Sequence, residues 1–183
     1  FMPSDLTAGL EYNRDRLKDN MWGYNRHTDQ TVNIYSAFLQ NEWKNDRWGI
    51  LIGGRLDKHN MVDNVIFSPR ANLRFNPTQN INLRLSYSSG FRAPQAFDED
   101  MHIENVGGTV AMIERAKDLK EEKSQSFSAS ADMYHRFGAF QTNLLIEGFY
   151  TRLTDVFVLG EPYDRGDGIL VKTRSNGPGA KVM

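Results

Sequence analysis

The side chains with the most chemistry to offer are four histidines, a triplet of acids and a row of serines. His27, His59, His102 and His135 show no H-x-x-x-H or H-E-x-x-H spacing, so nothing presents a zinc pair on one helix face. Asp98, Glu99 and Asp100 concentrate acceptor oxygens beside His102. Calcium takes roughly six to eight such oxygens, and three adjacent acids need not converge, so the competing reading is a solvated loop face. Ser86, Ser88, Ser126, Ser128 and Ser130 could serve a hydrolase only if one were held by a histidine and a third group. The sequence places no such partner, and the chain reads as a non-enzyme. Arg165-Gly166-Asp167 is the tripeptide of integrin ligands, but three common residues in the glycine-rich string DRGDG are far more often an ordinary turn. Arg92 lies between Gly90-Phe91 and Ala93-Pro94. It is either a cation turned toward a ligand or a structural partner of carboxylates.

The elements that must position these groups follow from alternation. Ile81, Leu83, Leu85, Tyr87 and Phe91 stand against Asn82, Arg84, Ser86 and Ser88, which in a strand makes one apolar wall and one polar wall. The same pattern recurs in 5–14, 34–43, 47–58, 66–76, 125–137 and 140–158, seven strands in all. Short turns at 44–46, 77–80 and 138–139 alternate with long polar stretches at 15–33, 59–65, 93–124 and 160–180. Alternating strands, aromatics near strand ends, and short turns on one side with long loops on the other are the signature of an outer-membrane barrel. Trp43, Trp48, Phe75, Phe137 and Phe140 fall near the short-turn rim, and Tyr12, Tyr87, Phe91 and Tyr150 toward the long-loop rim. Residues 110–119 also fit one amphipathic helix through Val110, Ile113, Ala116 and Leu119, and both readings stay open.

Composition agrees with this reading but does not demand it. The 183 residues carry a net charge of -1 and are 25% charged; the mean hydropathy is -0.57. A barrel hides in such averages because only alternate residues face lipid, whereas a membrane helix needs roughly 20 consecutive apolar residues. The near-neutral balance argues against nucleic acid as partner, and zero cysteines remove disulfides and thiolate chemistry. No export signal is visible at the start, Phe1-Met2-Pro3-Ser4, so the chain is expected to be processed or internal. Seven strands with the approach to another, Gly177-Pro178-Gly179-Ala180-Lys181-Val182-Met183, suggest a piece of a larger barrel, because a spanning sheet has to close.

The stretch SPRANLRFNPTQNINLRLSYSSGFRAPQAFDEDMHI at 68–103 closely resembles the barrel of TonB-dependent outer-membrane receptors, with G-F-R-A-P its sharpest part. GGRLDKHN at 53–60, DLKEEKSQSFSASADMYHR at 118–136 and LIEGFYTRLTDVF at 145–157 support it. Glu121 departs from the family's common L-K-P-E proline. The wording is more like the siderophore and cobalamin type than the glycan-importing type. The resemblance implies an all-β, antiparallel up-and-down transmembrane barrel segment in the outer membrane of a Gram-negative cell, without its N-terminal plug. It also implies TonB-dependent import of a scarce nutrient, with outer-membrane lipid, the nutrient and the TonB energy-coupling complex as partners and no nucleic acid. No cofactor is implied beyond a possible loop calcium in the parent protein. Ligand contact then falls to the outer loops and lumen: Arg92, Asp98, Glu99, Asp100, His102, Asp164 and Asp167. Arg70, Arg74 and Arg84 form an inward basic stripe better suited to the missing plug. The alternative is a secreted or surface β-sandwich that binds glycan or protein, whose apolar wall would face a second sheet.

Overall fold

A computed structural model describes residues 2–96, 104–106 and 109–183. Thirteen strands alternate along the chain: β1 (Ser4–Met21), β2 (Arg26–Lys44), β3 (Trp48–His59), β4 (Ile66–Thr78), β5 (Ile81–Arg92), β6 (Glu104–Val106), β7 (Thr109–Arg115), β8 (Glu122–Phe137), β9 (Phe140–Thr154), β10 (Phe157–Leu159), β11 (Tyr163–Asp164), β12 (Leu170–Asn176) and β13 (Ala180–Val182). Eight form one antiparallel sheet in the order β1-β2-β3-β4-β5-β8-β9-β13. Each long strand pairs with the next long strand in sequence, which is the up-and-down order expected from hairpins.

The register carries the alternation across the whole sheet. Leu85 stands opposite both Leu73 and Ala129, and Tyr87 opposite Ala71 and Phe127. Ser86 stands opposite Asn72 and Ser128. One face is therefore apolar from β1 to β9, and it is uncovered: Leu10 is 88% exposed, Leu85 54% and Ile146 57%. A β-sandwich would bury this wall against a second sheet, so that expectation does not hold. Aromatic pairs lie toward both ends of the strands. Trp48 stacks on Phe75 at 4.2 Å near the short turns, and Tyr12 on Tyr35 and Tyr87 on Phe127 at 4.8 Å toward the other end. Phe91, at the long-loop end of β5, packs on Val62, Ile66 and Ala93.

The short turns are as expected. Asn45 Oδ1 accepts from the Arg47 and Trp48 amides, closing the β2–β3 turn. Gly138, with φ +58, turns β8 into β9. Around Pro77 the strand itself continues to Thr78, and the missing proline donor is absorbed by a register shift between Phe75 and Thr78. Phe38, which breaks the alternation of β2, faces Gly9 in the pairing, and its ring occupies the space a Cβ there would need.

One expectation is corrected and two open points are resolved. Residues 15–33 are not a loop: β1 and β2 run on, joined by the 3-10 turn Trp22–Tyr24. Alternating charges hold this extension, with Arg16 bidentate on Asp29 and Arg26 on Asp19. At about 3.3 Å per residue the hairpin reaches roughly 60 Å, well beyond the ~9–11 residues that cross a bilayer. Residues 110–119 are not a helix; their first part is β7, recruited by a partner strand distant in sequence. The approach to a further strand expected at 177–183 is β13, which pairs with β9 through Ala180↔Leu153 to Val182↔Thr151.

Candidate functional site

The two longest connections, 93–124 and 160–180, do not behave as separate loops. Their strands β6, β7, β11 and β12, with β10, form a second, five-stranded sheet in which β12 pairs with β7 in parallel, Leu170↔Ala111 through Arg174↔Arg115. Parallel pairing joins segments far apart in sequence, and here it ties one long connection to the other. Ala111, Met112 and Val171 are buried in this sheet. Asn176 reinforces the joint: its Oδ1 accepts from the Lys120 amide, and its Nδ2 donates to the carbonyls of Lys120 and Asp155.

Below this outer sheet lies the polar wall of the large sheet. Ser86 and Ser128 hydrogen-bond at 2.6 Å, and Ser126 reaches Thr151 at 2.9 Å. The serines thus pair with one another across strands, and no histidine approaches them in these bonds. Arg74 and Arg84 stand directly opposite in the register, with Arg84 donating to Asn82. Together with Glu42, Ser128, Ser130 and Glu147 they line a depression of about 380 Å³. Nearer the long connections, Arg55 bridges three strands, donating to Glu11, Ser36 and Asp57 at 2.8–2.9 Å.

Between the extended β2 and the outer sheet is a larger cavity of about 570 Å³, lined by Arg26, Thr28, Glu114, Arg115 and Lys117 among others. With Asp19 paired to Arg26, three cations stand against two carboxylates here, a small positive excess. Sequence reasoning missed this group because it took 15–33 as loop. The signal available was the continuation of alternation upstream of Ile34, where Gln30 and Val32 lie on the polar face and are buried.

Of the sequence-predicted site residues, Arg92, Asp164 and Asp167 fall among the described residues. Asp98, Glu99, Asp100 and His102 lie outside the described residues, as does any calcium site built on them. Among the described residues, no group of three or more His, Asp or Glu is arranged to hold a metal ion. Arg92 pairs in register with Glu122 on the polar-wall side, and its guanidinium carbon sits 5.5 Å from the centre of the Phe157 ring. That distance is within cation–π range. Asp164 accepts from the Gly166 amide at 2.7 Å, and Asp167 takes three bonds from Arg165. Both acids bond within their own turn, the geometry that an ordinary DRGDG turn would have. Of the histidines, His135 lies against Phe137 at 4.1 Å on the outward face, and His59 is fully buried.

The Arg165 hydrogen bonds are the largest influence on Asp167 and hold its carboxyl below the usual carboxylate range. A depressed carboxylate stabilises the folded turn above its unfolded pKa, and that contribution fades as pH falls through its folded value. Protease nicking of 163–169 is therefore expected to be slow at neutral pH and to accelerate below about pH 4, near the ordinary Asp value. Nicking that is independent of pH would show the pair to be immaterial to the turn.

These features have counterparts in known proteins. The family described as TonB dependent receptor-like, beta-barrel matches residues 3–180. The chain belongs to that family. Solved structures with the same fold as this TonB-dependent receptor barrel include the siderophore receptor PirA from Pseudomonas aeruginosa. It is 17% identical at a TM-score of 0.79, over 97% of this chain and 34% of that one. PirA from Acinetobacter baumannii is 18% identical, TM-score 0.69, over 99% and 31%. A variant of the ferric enterobactin receptor PfeA from Pseudomonas aeruginosa, in complex with enterobactin, is 19% identical, TM-score 0.73, over 99% and 30%. The chain thus spans about a third of the length of these structures. No curated protein matches its sequence.

Proposed function

We propose that this chain is part of the barrel wall and outer binding surface of a longer outer-membrane receptor that captures a ferric siderophore and imports it by TonB-dependent transport. The observation that carries this reading is an exposed apolar wall on one side of an eight-stranded up-and-down sheet, with a second sheet joining β7 to β12. The apolar wall fits lipid. The cations Arg26, Arg115 and Lys117 fit an anionic ligand, and receptors of similar fold bind siderophores. That favours siderophore over cobalamin as cargo. In this reading Arg70, Arg74 and Arg84 face a plug contributed by another part of the receptor, through which the TonB complex would act. Arg92 holds the rim above them.

The test removes 160–170 from the complete receptor and follows uptake of ferric enterobactin and of cobalamin separately. Losing part of the outer sheet is expected to weaken ferric enterobactin affinity by roughly tenfold or more, equivalent to at least about 1.4 kcal/mol. Unchanged affinity for the siderophore, or loss confined to cobalamin, would contradict the assignment.

A further inference from the structure

Gln30 is an uncharged residue on the extended part of β2, yet it is 9% exposed. Its Oε1 accepts two hydrogen bonds: from the Ala96 amide at 2.8 Å and from Arg115 Nη1 at 2.9 Å. Arg115 Nη1 also donates to the Pro94 carbonyl at 2.9 Å. One residue away, Gln95 Oε1 lies 3.2 Å from His59 Nε2. The orientation of that ring follows from its other nitrogen: the Met61 amide can only donate, so Nδ1 accepts at 3.0 Å and Nε2 carries the proton toward Gln95. Ala93 and Ala96 are buried beside these contacts. The segment that leaves β5 is thus gripped from β2, from the end of β3 and from the end of β7.

Arg115 is where the grip reaches further. It is the last residue of β7 and stands opposite Arg174 of β12 in the parallel pairing, and the next amide, Ala116, donates to the Arg174 carbonyl at 2.9 Å. A buried acceptor that loses its donors, or donors that lose their acceptor, cost more than a surface bond, because no water replaces them. Releasing Gln30 therefore loosens both the exit of β5 and the β7 end of the outer sheet.

We infer that Gln30 is a positioning residue that docks the outer sheet onto the barrel wall through Ala96 and Arg115, so that β7 and β12 meet ligand as one body rather than as parts of two independent loops. This rests on the reading of the chain as a siderophore receptor only in naming the ligand; the mechanical coupling stands apart from it.

The experiment uses the complete receptor in lipid, without ligand, and measures amide hydrogen exchange in 109–115 and 170–176, with 81–92 as the wall reference. Gln30→Leu removes the acceptor and should raise exchange in both outer segments together, on the order of tenfold, while 81–92 stays protected. Gln30→Glu keeps an acceptor for both donors and should match the wild type. Arg115→Met breaks the same clasp from the outer sheet and should reproduce Gln30→Leu, which covers the case in which Gln30→Leu does not insert. Exchange rising in 109–115 alone, or in neither segment, would overturn the coupling. Gln30→Glu behaving like Gln30→Leu would overturn the role of the acceptor. A second arm measures ferric enterobactin binding to wild type and Gln30→Leu, with weaker binding expected for Gln30→Leu. If the wild type binds no ferric enterobactin while the exchange pattern appears, the ligand reading fails and the clasp stands.

Discussion

In the complete receptor, Leu85→Arg is expected to lower the yield of folded protein in lipid vesicles, whereas Arg84→Ala leaves insertion unchanged. The two residues are neighbours, so sequence position and local strand propensity are nearly matched; what differs is the face. Leu85 lies in the apolar row with Leu73 and Ala129, and more than half of its surface is uncovered. Arginine on a lipid-facing position near the midplane costs roughly 2–4 kcal/mol. Arg84 lies in the polar row opposite Arg74, two like charges whose mutual repulsion a change to alanine relieves. Equal folding yields for the two variants would contradict the face assignment.

A second large effect is expected from the 183-residue chain on its own. The described sheet ends at β1 on one side and β13 on the other, and these two strands do not pair with each other. In hydrocarbon each unpaired N–H or C=O costs on the order of several kcal/mol, and an 18-residue edge strand such as β1 presents many of them. Refolded in detergent, the chain should aggregate or pair edge to edge. Native β-content is expected only when the remaining strands are supplied. A heat-resistant monomer with native β-content would show that the sheet is self-sufficient and would remove the case for a larger barrel.

The wall of the barrel was legible in the sequence because strand side chains alternate strictly and lipid permits few exceptions. Tyr87, Leu85 and Leu83 announce their face without any knowledge of their neighbours, and the turn residues Asn45 and Gly138 announce the hairpins. The outer sheet was not legible for the opposite reason. β7 is a strand because β12, more than fifty residues later, lies parallel to it, and local periodicity in 110–119 fits a helix equally well. The extension of β1 and β2 was hidden by charge: Arg16, Asp19, Arg26 and Asp29 read as a polar loop until their pairing across the hairpin is seen. The candidate site suffered from the same limit. Asp164 and Asp167 drew attention as acids, yet their oxygens are used by the adjacent turn, whereas Gln30, with no charge to mark it, gathers two buried donors.

The central claim is that one face of this sheet meets lipid and the other an aqueous lumen. The chain contains no cysteine, so single labels can be introduced cleanly at Leu83→Cys, Arg84→Cys, Leu85→Cys and Ser86→Cys in the complete receptor. Nitroxides at these positions, read in vesicles against oxygen and a water-soluble nickel chelate, measure lipid and water access directly. Oxygen access is expected at 83 and 85 and chelate access at 84 and 86, alternating residue by residue. Chelate access at all four positions, or burial of 83 and 85 from both reagents, would contradict a membrane-spanning wall.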